Sequence, residues 1–290
     1  MGSVKFHSVT PLTMRGSTHT LFLAVLTSSS FAISHAADSL EAREESKSLE
    51  DPTVLKPRVW SDTEWNKFRD GSNDLEETLG TLWAWPLSSK QDLGIRLKIP
   101  YELHFAGDSP GDSDTHGIGD IQAAVGTAFQ LRDTLRVGGG LELRTPSGSV
   151  DRLSDNTWRI QEFGAVAWDA QPWLTLSPSF EYNQSLAEEQ GVLPRHFIEL
   201  FFPVTVTLPG LWSVAARYEL KIDFQDHNYL THSARLAVSK HLFESIPLNL
   251  TFTFKKPFDT AVHDFQVNCI LTYFFVSRKS SGLEPVKPHR

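Results

Sequence analysis

The feature that most constrains this chain is the alternation of apolar and polar residues, repeated in one long segment after another from about residue 75 onward. Leu248, Leu250, Phe252 and Phe254 alternate with Asn249, Thr251, Thr253 and Lys255. Val214, Ala216, Tyr218, Leu220 and Ile222 alternate with Ser213, Arg217, Glu219, Lys221 and Asp223. Leu93, Ile95, Leu97, Ile99, Tyr101 and Leu103 face away from Arg96, Lys98, Glu102 and His104. A period of two belongs to extended strands, whose two faces must then meet different surroundings. The segments run about 11 to 13 residues, longer than most strands and close to what crosses a bilayer with tilt. Brief turns near 132–134, 169–172, 209–210 and 243–246 alternate with polar loops near 105–117, 146–156, 185–194 and 224–229. That is the pattern of short periplasmic turns and longer extracellular loops. Trp83, Trp85, Tyr101, Trp168, Trp173, Tyr182, Trp212, Phe243 and Phe274 gather at segment ends, where membrane barrels carry aromatic girdles.

The expected fold is therefore all-β, a transmembrane antiparallel up-and-down β-barrel. Eleven segments are centred near residues 80, 97, 125, 140, 163, 178, 202, 217, 236, 252 and 269. Bacterial barrels normally have an even strand number. Residues 53–60 supply the twelfth strand, followed by a loop at 61–74 in which Ser61 and Glu64 make a capping box for a short helix. Pro52 and Pro57 weaken that strand and leave a ten-stranded closure as the alternative. Glu162 falls on the face that Ile160, Val166 and Trp168 make apolar, which predicts a bulge. In the last segment Phe265, Val267, Cys269, Leu271, Tyr273 and Phe275 share one face, and this resembles the C-terminal signal read by the barrel-assembly machinery.

Composition excludes other classes. No run approaches the ~20 apolar residues of a transmembrane helix. The net charge of -8, with scattered basic residues, argues against nucleic acid as a partner. The single cysteine, Cys269, excludes an internal disulfide and reads as packing or lipid contact. Lys5 and Arg15 precede an apolar stretch from Leu21 to Ile33, with Ser34-His35-Ala36 before a cut at Ala37. The organisation expected is a signal peptide at 1–36, a polar linker at 37–52, the barrel at 53–275 and a polar tail at 276–290.

The strand at 93–103, the loop ending Thr115-His116-Gly117-Ile118-Gly119-Asp120, and the run from Leu135 to Ser149 with its Pro146-Ser147-Gly148 turn carry a resemblance. Together they look like the outer-membrane transporter family linked with meta-pathway phenol degradation. The resemblance implies a twelve-stranded barrel with a role in taking up small hydrophobic or aromatic compounds, and no catalytic residues to carry over. The degenerate first strand and the C-terminal tail depart from the family pattern.

In a barrel the polar face points inward, because a charge facing lipid at the midplane costs ~2–4 kcal/mol. The residues expected to line a solute path are Arg96, Lys98, Glu102, Arg136, Glu142, Arg144, Arg159, Glu181, Glu199, Arg217, Glu219 and Lys221. Asp223, Arg235, Lys240 and Lys255 complete the inward set. Both signs occur in comparable number, which favours ion-paired ladders over strong ion selectivity. His104, Asp108, Asp112, Asp114, His116, Asp120, His196, Asp226, His227 and His263 collect on the loop side, but without HExxH or EF-hand spacing. No metal, cofactor or catalytic residue is expected. The function expected is a bacterial outer-membrane pore or transporter for small solutes, with outer-membrane lipid as its surroundings. The alternatives are a lipid-modifying barrel enzyme using His196 or His232, and a soluble exported all-β binding protein.

Overall fold

The computed structural model describes residues 51–107, 113–150, 153–225, 228–243, 246–258 and 263–275, and the expected signal peptide, most of the expected linker and the expected tail lie outside them. Fourteen strands follow in order: β1 (Arg58–Phe68), β2 (Asn73–Ser88), β3 (Gln91–Phe105), β4 (Thr115–Ile118), β5 (Gln122–Arg132), β6 (Leu135–Arg144), β7 (Thr157–Gln171), β8 (Leu174–Leu176), β9 (Ser179–Glu188), β10 (His196–Leu208), β11 (Trp212–Asp223), β12 (Tyr229–His241), β13 (Leu248–Pro257) and β14 (His263–Phe274). Each pairs antiparallel with its neighbours, and β1 pairs with β14 from Arg58↔Phe274 upward, so the sheet closes. β4 and β5 both lie against β3, and β8 and β9 both lie between β7 and β10. They are two interrupted strands of a twelve-stranded barrel. Proline explains both interruptions: Pro100 of β3, and Pro178 with Pro203 of β10, have no N–H to give the ladder at those levels.

The first strand corrects the sequence expectation. It begins at Arg58, not residue 53, and Ser61 to Phe68 continue it where a loop and short helix were expected. The actual turn is short, at 69–72, where Gly71 adopts a positive φ of 90° and Asp70 Oδ1 accepts from the Ser72 amide at 3.0 Å. Ser61 and Thr63 are polar on a membrane-facing parity, and their hydroxyls donate to the Glu77 carboxylate on β2, Thr63 at 2.5 Å. With polar residues on both faces, the period of two was invisible.

The barrel is inverted relative to a soluble domain. Asn249 and Thr251 are 0% exposed while their neighbour Phe252 is 46% exposed. Trp83, Trp85, Trp168 and Trp173 stand on the outside near the end with short turns, and Trp65, Tyr101 and Trp158 near the other. A closed barrel with an outward apolar band between aromatic girdles is the architecture of the bacterial outer membrane, and the protein resides there. The soluble alternative is set aside. The end with turns at 89–90, 133–134, 172–173 and 209–211 is the periplasmic one by the rule of short periplasmic turns, and the described loop residues 106–107, 113–114, 145–150, 153–156 and 189–195 lie at the extracellular end.

Three further expectations are corrected. Phe274 is not in a girdle: it is 1% exposed and lies on the inward parity of β14. Lys240 points outward, over the Trp212 ring at 5.1 Å, with its ammonium donating to the Gly210 carbonyl at the periplasmic edge. Its long stem lets the charge reach the interface from an outward position. Finally, β7 pairs with β6 in unbroken register from Trp168 to Arg159, so no bulge turns Glu162 inward and it stays on the outer face. The register shift lies higher, at Trp158/Arg159 against β9.

Candidate functional site

Alternation places all twelve expected lumen residues on the inner face: Arg96, Lys98 and Glu102 on β3, Arg136, Glu142 and Arg144 on β6, Arg159 on β7, Glu181 on β9, Glu199 on β10, and Arg217, Glu219 and Lys221 on β11. Two ion pairs form within that set, one between β3 and β6 and one within β11, rather than as ladders across neighbouring strands. Arg96 Nη2 lies 2.5 Å from Glu142 Oε2, and Arg217 Nη2 lies 2.5 Å from Glu219 Oε1. Glu219 also takes Lys255 Nζ at 2.6 Å, Arg235 Nε at 3.7 Å and a hydrogen bond from Ser233 Oγ at 2.9 Å. Glu181 and Glu199 face each other in register, and Lys221 sits in register with Glu199 and 3.9 Å above the Phe197 ring. Lys98 donates to Gln122 Oε1 at 3.2 Å.

The remaining partners were missed because they sit in segments without visible alternation. On the wall of β1 and β2, Asp62, Glu64, Asp74 and Glu76 form an acidic face. Asn268 Nδ2 donates to Glu64 at 2.9 Å and to Asp62 at 3.2 Å, Gln266 Nε2 donates to Glu64 at 2.6 Å, and Thr78 Oγ1 donates to Glu76 at 2.5 Å. Asp74 meets His104 Nδ1 at 2.5 Å. The spacing of Asp62, Glu64 and Asn66 was the available signal.

The extracellular mouth is organised by the Gly-Ile-Gly-Asp motif. Residues 119–121 form the gap between β4 and β5, and Asp120, 5% exposed, turns into the 145–156 loop. Its carboxylate accepts from Ser147 N at 3.2 Å, Gly148 N at 3.1 Å, Ser154 Oγ at 2.7 Å and Asp155 N at 2.8 Å. One carboxylate thus ties the two motifs that carried the family resemblance. Asp155 in turn is met by Arg195 at 2.9 Å, Arg159 at 3.2 Å and Arg144 at 3.3 Å. Burial pushes its pKa up, but Arg195, Arg159 and Arg144 outweigh that and hold it below the ordinary carboxylate value.

At the periplasmic end the chain before β1 enters the barrel. Residues 51–57, expected partly as linker and partly as strand, run inside the wall from β1 to β6, four strands round the barrel. Asp51 and Thr53 are 1% and 3% exposed. Arg136 Nη2 donates to Asp51 Oδ2 at 2.8 Å, its Nε to Thr53 Oγ1 at 3.2 Å, and its Nη1 to Asp169 Oδ2 at 3.2 Å. Thr53 folds back on Asp51 through its amide at 2.9 Å and its hydroxyl at 2.6 Å, and Thr175 donates to Asp169 at 2.6 Å.

Above this segment lies a cavity of about 100 Å³ lined by Pro52, Leu55, Arg58, Arg96, Phe163 and Glu181, among others. Its far wall is made of small residues: Gly94, Ala124, Gly126 and Ala165. The close approach beside it requires glycine at 140, where a Cβ would fall 2.1 Å from the Val125 carbonyl oxygen.

Among the described residues no group of three His, Cys, Asp or Glu side chains is placed to hold a metal ion. Asp108, Asp112, Asp226 and His227 lie outside the described residues. His196 bonds the Tyr182 hydroxyl at 2.5 Å and His232 bonds the Tyr218 hydroxyl, both on the outward face. Cys269 is also outward, opposite Thr63.

No protein-family model matches the chain. No curated protein matches it. Solved structures do. An outer membrane channel from Pseudomonas putida F1 superposes with a TM-score of 0.63 at 15% identity, covering 77% of this chain and 96% of that one. The NanC porin gives 0.51 at 12% identity, covering 76% and 100%. The translocator domain of the autotransporter NalP from Neisseria meningitidis gives 0.53 at 9% identity, covering 80% and 94%. At these identities the likeness is one of fold, and what this chain resembles is the outer-membrane β-barrel.

Proposed function

We propose that this barrel is a pore for small solutes whose periplasmic mouth is shut by residues 51–57, and that its cargo is a compact, largely apolar or aromatic molecule. The observation that carries the reading is the way the closing segment is held. It continues into the wall at Arg58, and a polar contact with the far wall is made by Arg136, which holds Asp51 and Thr53, while Leu55 lies beside Gly94 and the Pro57 carbonyl accepts from the Phe275 amide at 2.9 Å. A segment secured by side-chain pairs can leave without breaking the strand ladder. The mixed-charge interior supports weak ion selectivity, because cations and carboxylates largely neutralise each other. The apolar cargo is supported by the family resemblance and by the small-residue bay facing Leu55 and Phe163. The test is planar-bilayer conductance and liposome swelling on the full chain and on Arg136→Gln. Small, weakly selective conductance that grows in the variant is expected. An electrically silent barrel in both, with no swelling by any solute, overturns the reading.

A further inference from the structure

We propose that the cavity above the closing segment is a binding site for a carboxylate attached to a ring-sized apolar body, with Arg58 as the group that recognises the charge. This deepens the pore reading and rests on it for how the ligand arrives.

Arg58 enters the barrel wall at the point where the closing segment ends, and its side chain lines the cavity. It is propped on the Trp60 ring at 5.8 Å. The indole needs Gly80 on the next strand, since a Cβ there would lie 2.0 Å from Trp60 Cε2. The guanidinium is therefore positioned by packing, yet its Nε and Nη1 are buried with no acceptor. An unmet buried donor is costly, and a charged acceptor recovers that cost. Arg96, the second cation on the lining, is already engaged through Nη2 by Glu142 but also keeps a buried Nε without an acceptor. The single carboxylate on the lining, Glu181, comes from β9 beside Ser179.

The rest of the cavity suits an apolar body. Leu55, Leu82 and Phe163 line it, and Gly94, Ala124, Gly126 and Ala165 leave the room. A charged head on Arg58 and a ring against Phe163 and the bay use both halves of the lining.

The test is calorimetric titration of the full chain in detergent with benzoate, benzyl alcohol and benzylammonium at pH 7, heat-modifiable migration serving as the fold check. Benzoate is expected to bind about tenfold or more tightly than benzyl alcohol, the size of a hydrogen bond to a charged group. Arg58→Gln should erase that preference and Arg58→Lys should restore part of it. Ala124→Leu, which fills the bay and leaves Arg58 in place, should weaken benzoate and benzyl alcohol alike, and this arm holds even if Arg58→Gln does not fold. Equal affinity for benzoate and benzyl alcohol in the unmodified chain, tighter binding of benzylammonium, or a benzoate preference that survives Arg58→Gln each overturns the site. Failure of the pore reading looks different. Benzoate binding with no conductance or swelling keeps the site and removes the pore, whereas conductance without any carboxylate preference keeps the pore and removes the site.

Discussion

The two mouths of the barrel use the same chemistry in opposite arrangements. Outside, one carboxylate, Asp155, is surrounded by three arginines, and every partner belongs to the wall or its loops. Inside the periplasmic end, one arginine, Arg136, stands between two carboxylates, and one of these, Asp51, belongs to a segment outside the wall. Loss of the first arrangement loosens a loop. Loss of the second frees a stopper. The difference is one of connectivity, not bond strength.

The largest effect is expected where the central ion is removed from the periplasmic cluster. Arg136→Gln removes the cation that bridges the buried Asp51 and the part-buried Asp169, and breaking a pair at a buried carboxylate costs about 3–5 kcal/mol. Conductance should rise and protease should cut within 51–57, while heat-modifiable migration stays; unchanged conductance would show that something else holds the segment. Next is Asp120→Ala, which orphans four donors at the extracellular mouth and should cost about 2–3 kcal/mol of local stability. Limited proteolysis should find the 145–156 loop with no rise in conductance. A rise would erase the contrast between the mouths.

Between the mouths, Glu162→Leu replaces a carboxylate on the lipid face and should stabilise the barrel by on the order of 1 kcal/mol in a urea unfolding series. Destabilisation would mean that Glu162 has a partner in the membrane. The smallest effect is expected from Arg195→Ala, whose side chain is 46% exposed, at about 0.5 kcal/mol or less. The Asp155 cluster also has a pH signature. Its folded pKa is below the unfolded value, so its contribution is fully present above about pH 4 and is lost only as pH falls through the folded pKa. Proteolysis of the loop with an acid-active protease should be flat from pH 7 to 5 and should rise below about 4; a rise already at pH 6 would point to another group.

Strand identity was legible wherever the two faces differed. Leu248 to Lys255 and Trp212 to Asp223 could be read residue by residue, down to which charges enter the lumen. The reading failed where both faces were polar, as in β1, and where residue type was weighed above parity. Lys240 and Phe274 follow the parity of their strands, Lys240 with outward Leu236 and Phe274 with inward Thr272, and what failed was the assumption that a charge turns inward and an aromatic outward. Glu162 failed for the same reason: parity was right, and the assumption that a carboxylate must turn inward was not.

The sequence alone determined a closed, even-numbered barrel, because long segments of period two with a charged inner face can be satisfied in a membrane only by joining the last strand to the first. Which charges meet was decided by the tertiary structure. Arg136 finds Asp51 85 residues away, Arg195 finds Asp155 40 residues away, and Glu64 accepts from Asn268 across the closing seam of β1 and β14. Register and closure set these pairs, and period two carries no information about either. The same closure places residues 51–57 inside the wall and leaves Arg58 facing a cavity that its neighbours along the chain could not reveal.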